Sequence, residues 1–306
     1  MNVKPEIDSK SAAPILLKAD QTTPALAIAA DGAGIIIKAG TTFQGRSFDG
    51  REVIPFPESS RVPGSDYAVA LLKGGGAEIV RLTSADLGSD MLGGFHYAPG
   101  GNASARAGGD TVPVINTYSL HDLNFRPACP DPRGMALIEQ THGRKFWCDI
   151  YLLGVDHVAN GTSKFGVTIA DGNERPINPA TGKPFKKLDY ETAVAVMAHH
   201  GKQLLSFEEF ADAMIGVTEK TSIGSDPEVT KLDALRTSRF GIMQATGNMY
   251  VWGHDGDPDE PRASIFGGSW WGGGNAGSRR ADLDCWSDDS LDSLGARGRS
   301  DHLQLG

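Results

Sequence analysis

The sequence is poor in cysteine and in basic residues. Its 306 residues include only 3 cysteines, and no two of them form a CxxC pair, which argues against a disulfide framework or a cysteine zinc site. Lysine and arginine number 29 against 38 acidic residues, a net charge of −9. Because phosphate neutralisation needs clustered basic side chains, we expect no nucleic-acid partner.

Long apolar runs are also missing. No stretch approaches the roughly 20 apolar residues that a membrane-spanning helix needs, so we expect no membrane insertion. The first residues, MNVKPEIDSKSAAP, lack the basic and apolar regions of a secretion signal. What is abundant is glycine, with 39 residues, together with 17 prolines. Such a composition favours a loop-rich fold that contains β-sheet.

Short apolar runs separated by turn residues fill the first third of the chain. Runs near residues 15–18, 25–28, 34–38, 67–73 and 77–82 each have the length of a β-strand. The pattern predicts a small all-β sandwich over residues 14–90, preceded by a tail at 1–13. We place a boundary near residues 89–93, before the sequence GGFHYAPGG.

Helical patterns are confined to the middle of the chain. Asp189 is placed to cap a helix over residues 190–200, which Gly201 would end. Ser206 and Glu209 have the spacing of a capping box, which predicts a second helix to about residue 215. Strand-like segments flank the pair at 147–153, 241–245 and 249–252. Residues 91–306 are therefore expected to form an α+β domain.

The segment over residues 266–305 is the most informative part of the chain. Rigid-looking glycine, tryptophan and arginine motifs such as FGGSW, GSR and GARG alternate with stretches that follow neither helical nor strand periodicity. These stretches still contain aromatic and apolar residues, which disordered tails lack. The pattern indicates an ordered, irregular surface of the kind that binds a ligand.

The sequences GGFHYAPGGNASARAGGD, INTYSLHDLNFRPACPDPRGM and FWCDIYLLGVDHVANGTSKFGVTIADG closely resemble the phage major tropism determinants. The resemblance covers residues 91–306, and residues 14–90 are similar to the family's sandwich domain more weakly. It implies a C-type lectin fold, which formylglycine-generating enzymes share, and a receptor-binding homotrimer at the tip of a phage tail fibre. Its partner would be a protein or glycan on a bacterial surface.

In this family a retroelement rewrites selected codons near the C-terminus. The resemblance implies a variable segment over residues 266–303, in which fixed anchors alternate with diversified, ligand-binding positions. Matched by spacing from the anchors, these positions are Ser269, Trp271, Gly272, Gly273, Asn275, Asp282, Asp284, Cys285, Asp289, Leu291, Ser293 and Leu294. The aspartates of this segment favour a basic partner, with association that slows as salt rises.

The fixed residues have a different expected role. Arg279, Arg297, Asp301 and His302 are predicted to hydrogen-bond loop backbone and each other, since irregular loops lack ladder partners. We expect Trp252 and Trp270 to pack in the core. For Trp271 and Trp286 the sequence leaves core packing and ligand contact equally open.

Two other interpretations have sequence support. The pattern GNMYVW, GGSW, SR and GAR also resembles the formylglycine-generating enzymes, but those need two neighbouring thiols and only Cys285 is nearby, so we expect no enzyme activity. The main alternative is a structural phage or host protein with no diversified ligand. No cofactor is required, although the acidic loop containing Asp255, Asp257 and Asp259 leaves a structural Ca²⁺ or Mg²⁺ open.

Overall fold

The computed structural model describes residues 15–99 and 115–304. The predicted tail at 1–13 lies outside the described residues. So does the part of the predicted α+β domain that spans residues 100–114. Sheet predominates over helix, as predicted. No helix within the described ranges is long and apolar enough to cross a membrane.

Ten short strands form the N-terminal part of the fold. They are β1 (Leu16–Leu17), β2 (Leu26–Ile28), β3 (Gly34–Ile37), β4 (Thr41–Phe43), β5 (Arg46–Phe48), β6 (Val53–Pro55), β7 (Ser65–Leu71), β8 (Ala77–Arg81), β9 (Met91–Tyr97) and β10 (His121–Asp122). They form sheets in the orders β1-β4-β5, β2-β3-β6 and β10-β9-β7-β8. The strands predicted in this region are therefore present, with slightly different ends.

An aromatic cluster holds these sheets together. The rings of Phe56, Tyr67, Phe95 and Tyr97 lie in the common core, with centroids 4.7 to 6.4 Å apart and mostly edge-to-face. Edge-to-face packing places the positive edge of one ring against the negative face of the next. Two of these rings, Phe95 and Tyr97, belong to β9 and therefore follow the predicted domain boundary.

The predicted boundary after residue 90 does not coincide with a break between sheets. Strand β9 lies beside β7, with Tyr67 opposite Phe95, and β10 continues the same sheet. The two halves are also joined by buried polar contacts. His96 bridges Asp66 (Nδ1 to Oδ1, 3.0 Å) and the hydroxyl of Tyr151 (from Nε2, 2.8 Å). Strand content alone could not locate this limit, because β9 is composed like the strands before it.

The C-terminal part is built on one mixed sheet. Its further strands are β11 (Met135–Glu139), β12 (Lys145–Asp149), β13 (Ile177–Asn178), β14 (Lys183–Pro184), β15 (Gln203–Ser206), β16 (Tyr250–His254), β17 (Ala263–Phe266), β18 (Ala281–Asp282), β19 (Leu294–Ala296) and β20 (Gly298–Asp301). The order is β11-β12-β20-β15-β16-β17-β18, with β19 paired to β16 and with β13-β14 as a separate hairpin. The last strands of the chain thus lie in the middle of the sheet.

Three α-helices are formed by the described residues: α1 (His157–Asn160), α2 (Tyr190–His199) and α3 (Phe207–Ala213). Asp189 caps α2 by accepting from the Thr192 amide at 2.9 Å, as predicted. The predicted capping box also forms at α3, where Ser206 and Glu209 satisfy each other's backbone amides. Both helices end close to the predicted residues.

One predicted strand, at 241–245, is wrong. The segment is buried but forms turns, because Gly241 and Gln244 have positive φ angles of 80° and 48°. Such angles break the extended backbone that a strand requires. The carbonyl groups of Met243 and Gln244 accept instead from the guanidinium of Arg297, at 2.8 and 3.4 Å.

Candidate functional site

The predicted ligand-binding positions fall into three groups by exposure. Exposed on the surface are Trp271, Gly273, Asn275, Asp282, Asp284 and Leu291. Partly buried are Gly272, Cys285 and Asp289. Buried are Ser269, Ser293 and Leu294. Most of the predicted positions therefore lie at least partly at the protein surface, whereas the last group is buried below it.

The loop over residues 267–277 is held by a second loop at 218–224. The amide of Gly224 donates to the Trp270 carbonyl at 2.9 Å, and the amide of Lys220 donates to the Ala276 carbonyl at 2.8 Å. The Gly273 amide donates to Ser222 Oγ at 2.9 Å. These bonds fix the backbone on both sides of Trp271, whose side chain remains 63% exposed.

Glu219 supports the end of the same loop. Its carboxylate accepts from the Ser278 amide at 3.0 Å and from the Ser278 hydroxyl at 2.5 Å. Gly277 leaves room for this contact, because a Cβ there would lie 2.1 Å from Glu219 Oε2. Gly268 has a φ of 78°, and a Cβ there would meet the Ala276 backbone at 2.7 Å. The glycines of this segment therefore permit close backbone packing.

The second stretch, residues 282–293, is tied to other elements of the sheet. The Cys285 amide donates to the Ala263 carbonyl (3.0 Å), and the Ser287 carbonyl accepts from the Tyr190 amide at the start of α2 (3.1 Å). The Leu291 carbonyl accepts from Gly172 at 2.9 Å. An irregular backbone is thus ordered by long-range bonds while many of its side chains face solvent.

Ser269, Ser293 and Leu294 have structural surroundings. Ser269 forms a bridge with Asn248 and is fully buried. The Ser293 carbonyl accepts from the Tyr250 amide at 2.8 Å, and Leu294 pairs with Tyr250 and packs into the core beside α2. Within this chain the three side chains add nothing to the exposed surface.

Arg297 joins this segment to the protein core. Its guanidinium is fully buried and donates to the carbonyls of Asp149, Ile150 and Met243, each at 2.8 Å. Burial lowers the pKa of Arg297 below its ordinary value. Two stretches of chain far apart in sequence, 149–150 and 243–244, are thus bound to one side chain, as expected for a fixed anchor.

A buried ion pair lies next to this anchor. Lys202 Nζ donates to Asp149 Oδ1 at 2.6 Å and to Thr162 Oγ1 at 2.8 Å, and both charged side chains are almost inaccessible. Burial acts to lower the pKa of Lys202, but Asp149, Cys129 and Asp131 together outweigh it and the pKa is raised. The Gly298 amide also donates to Asp149 (3.1 Å), which connects the pair to β20.

The remaining expected anchors differ from one another. Trp252 is buried as predicted and donates from Nε1 to the Leu188 carbonyl at 3.1 Å, and Trp270 packs partly buried against the core. His302 accepts at Nδ1 from Trp147 Nε1 at 3.0 Å. The prediction for Arg279 is wrong. It is exposed, and its guanidinium makes no hydrogen bond or ion pair with any described residue.

The thiols are not activated. Cys129 and Cys148 are buried, and burial raises the pKa of Cys148 to about 12. Burial, together with the negative charges of Asp289 and Asp282, raises the pKa of Cys285 to about 11. Since the thiolate is the nucleophile, a raised pKa makes Cys285 unreactive at neutral pH.

The acidic loop after β16 is engaged by an arginine. Asp255 accepts from Arg262 Nε at 2.7 Å, and this bond lowers the pKa of Asp255 to about 2. Asp257 accepts from the backbone amides of Asp259 and Glu260 (2.9 and 3.2 Å). Across residues 15–99 and 115–304, no group of three or more metal-binding side chains is arranged around a common point.

Sequence reasoning missed the supporting role of Glu219 and Ser222. Both act through contacts with residues more than fifty positions away. Neither lies in a recognisable motif, so nothing local distinguishes them from ordinary loop residues. Only the glycines in the loop over residues 267–277 indicate that another part of the chain approaches closely.

Comparisons with known proteins agree with this geometry. The chain is 37% identical over 310 residues to the tail fiber receptor-binding protein of Bordetella phage BPP-1, a match that covers 88% of this chain and 80% of that protein. No protein-family model matches the sequence.

Solved structures give the same result. The Major Tropism Determinant U1 variant superposes with a TM-score of 0.83 at 36% identity, covering 95% of this chain and 86% of that one. The M1 and I1 variants superpose with a TM-score of 0.84 at 36% identity, each covering 96% of this chain and 87% of the other. The described fold is therefore C-type lectin-like, as the resemblance implied. The chain belongs to the family of phage tail fibre receptor-binding proteins that includes the Major Tropism Determinants.

Proposed function

We propose that this protein recognises a receptor on a bacterial host from the tip of a phage tail fibre, through the exposed part of its segment 266–303. Membership of the tropism-determinant family supports the function. The choice of this surface rests on one observation: hydrogen bonds hold the backbone of the segment in place, whereas many of its side chains are exposed to solvent. Trp271, Asp282 and Asp284 are exposed on a backbone that is fixed from behind.

This arrangement favours binding on energetic grounds. A loop that orders only when its ligand arrives loses conformational entropy, and this loss weakens the complex. Here the hydrogen bonds from Lys220 and Gly224 already hold the loop before any ligand is present. The binding free energy can then come from the exposed side chains with little ordering cost. Recognition of this kind needs no cofactor, and we propose that none takes part.

The same contrast supports diversification of the exposed positions. A side chain in solvent can be exchanged with little effect on stability, whereas an exchange in the core creates a cavity or a clash. Trp271, Asn275, Asp284 and Leu291 meet the first condition. We propose that a retroelement varies such positions, and that the alternative of a structural protein without a ligand is incorrect.

We also propose the assembly and layout that the family resemblance implies. In this arrangement a small sandwich domain precedes the lectin-like domain, and three chains form a homotrimer at the fibre tip. Three copies that engage one cell surface together could strengthen weak single-site binding by about 10²- to 10⁴-fold. The ligand is a surface protein or glycan. Sedimentation of the purified protein would test the trimer directly.

Adsorption to cells tests the function. Fluorescently labelled protein would be mixed with a panel of bacterial strains, and bound protein would be measured by flow cytometry. The double variant Trp271→Ala/Asp284→Asn should lose binding to the strains that the unmodified protein recognises. A matched variant on the N-terminal sheets, Leu72→Ala/Asp49→Asn, changes exposed residues of similar type and should bind normally.

The outcomes separate the proposals. Equal loss in both variants would place the binding surface elsewhere. A correctly folded protein that adsorbs to no strain of a broad panel would support the structural alternative. Binding that disappears on chelation with EDTA would show that a metal takes part.

A further inference from the structure

Trp286 has the most exposed large apolar side chain among the described residues. It is 78% accessible to solvent, yet it is not one of the positions assigned to the diversified set. Its indole stacks on no ring and makes no hydrogen bond within the part of the chain that the structure describes. Exposing an indole to water is unfavourable, and exposed tryptophans are enriched at binding surfaces.

The backbone around Trp286 is fixed. Cys285 donates to the Ala263 carbonyl at 3.0 Å, the Trp286 carbonyl accepts from Asp289 at 3.2 Å, and the Ser287 carbonyl accepts from Tyr190 at 3.1 Å. The residue therefore lies on an ordered turn. Leu283 and Leu291, which are 37% and 49% exposed, extend the apolar surface on either side in sequence.

Several carboxylates that form no ion pair with any described residue lie close to Trp286 in the sequence. Asp282, Asp284, Asp288, Asp289 and Asp292 all lie within six positions of Trp286, and residues 281–294 contain no lysine or arginine. Over the described ranges, none of the five forms an ion pair within 4.0 Å. Like charges so close together repel each other unless a cation joins them.

Two cations that interact electrostatically with these aspartates are already engaged elsewhere. Lys187 interacts electrostatically with Asp288, but its ammonium group pairs with Asp189 at 2.7 Å. Arg262 interacts electrostatically with Asp284, but its guanidinium pairs with Asp255 at 2.7 Å. Even when the exposed Arg279 and Arg280 that precede this stretch, unpaired among the described residues, are counted, its five aspartates outnumber the basic side chains left to neutralise them.

We propose that Trp286 and the aspartates around it form a platform for an arginine or lysine side chain of a protein receptor. The inference rests on the proposed receptor-binding function and specifies the chemistry of the partner. The indole face would attract the cation through its quadrupole, and the carboxylates would hold it by charge. A neutral sugar could stack on Trp286, but it would leave the carboxylates unneutralised.

Peptides provide a direct test. The full-length protein would be titrated calorimetrically with a short peptide that carries several arginines and with its twin in which citrulline replaces each arginine. Citrulline keeps the shape of the side chain and removes the charge. The protein should bind the arginine peptide and not its twin, and higher salt should weaken the binding.

Variants then identify the platform. Trp286→Ala should weaken binding of the arginine peptide by about 5-fold. Trp286→Leu keeps an apolar surface without an aromatic face and should weaken binding similarly. Leu72→Ala, an exposed residue on the N-terminal part, is the control and should have no effect. Unfolding curves of each variant confirm that the fold is intact.

Several results would overturn the proposal. These are equal binding of the citrulline twin, full binding by Trp286→Ala or Trp286→Leu, and no binding of the arginine peptide. If the unmodified protein still adsorbs to bacterial strains in any of these cases, the receptor-binding function remains and only the cationic partner is wrong. Trp286-dependent adsorption to a strain that a neutral oligosaccharide inhibits would identify a glycan instead.

Discussion

Two neighbouring stretches of the C-terminal segment are ordered in opposite ways. Residues 294–300 comprise β19, Arg297 and the first three residues of β20, and every one of them is buried. Residues 282–292 lie almost entirely outside regular structure and expose Asp284, Trp286 and Leu291. Both stretches are held by long-range hydrogen bonds. The difference is that side chains as well as the backbone bind the protein in the first, whereas mainly the backbone does so in the second.

This contrast shows how one short segment can combine constancy with variation. Where the backbone makes the contacts, the side chain is free to change without loss of order. Where the side chain makes them, as Arg297 does with three carbonyls, the residue cannot be exchanged. The experiments below test this division, beginning with the variant expected to have the largest effect.

Replacing Arg297 should break the scaffold. Arg297→Ala would leave buried carbonyls of Asp149, Ile150 and Met243 without a donor, so the free energy of unfolding should fall by at least about 3 kcal/mol. Urea unfolding measures the change. Arg280→Ala, an exposed arginine of the same segment, is the control and should alter stability by less than about 0.5 kcal/mol. Similar effects of both variants would refute the division.

Adjacent residues sharpen the comparison further. Ser293 is 3% exposed and Asp292 is exposed, although both lie in the stretch expected to vary. Ser293→Asn adds atoms to a packed site and should cost about 1–3 kcal/mol of stability. Asp292→Asn should change it by less than about 0.5 kcal/mol. If Ser293→Asn is equally well tolerated in thermal or urea unfolding, the position is free to vary despite its burial.

Acidic pH should lower the stability of the fold through the pair formed by His157 and His200. His157 donates from Nε2 to the Ile177 carbonyl (2.7 Å), so its Nδ1 accepts from His200 Nε2 (2.9 Å). Burial, and then the neighbouring His157 and Lys202, lower the pKa of His200 to about 4 from 6.5. The unfolded chain therefore binds the proton more readily, and stability should fall as the pH drops from 6.5 toward 4.

The variant His200→Gln isolates this contribution. Glutamine can still donate a hydrogen bond but does not titrate, so the loss of stability between pH 7 and acidic pH should be smaller than in the unmodified protein. Urea unfolding at both pH values measures it. An identical loss in the two proteins would show that other groups account for the acid sensitivity.

Sequence patterns correctly predicted the features that depend on residues close together in the chain. The Asp189 cap, the capping box at Ser206 and Glu209, and the short strands of the first third all depend on residues close in sequence. The family resemblance supplied the fold of the rest. Where prediction depended on spacing alone, it placed Ser269, Ser293 and Leu294 among the ligand-binding positions, and packing against distant residues buries them.

The errors have a common physical origin. The segment 241–245 has a strand-like composition, but its carbonyls bind a guanidinium more than fifty residues later. Arg279 lies in a motif that suggests an anchor, yet it faces solvent. The domain limit placed after residue 90 stays a prediction, and the strand beyond it, β9, pairs with β7 before it. Periodicity and spacing reveal neither the distant guanidinium that binds 241–245 nor the lack of a partner for the Arg279 side chain among the described residues.

The support that Glu219, Lys220, Ser222 and Gly224 give to the loop over 267–277 has a practical consequence for engineering. A designer who transplants residues 266–303 alone into another protein would move the exposed side chains without the loop at 218–224, whose hydrogen bonds hold their backbone in place. The grafted loop would have to order itself each time it met its target. Residues 218–224 are therefore part of the smallest transferable unit, although they need not touch a ligand themselves.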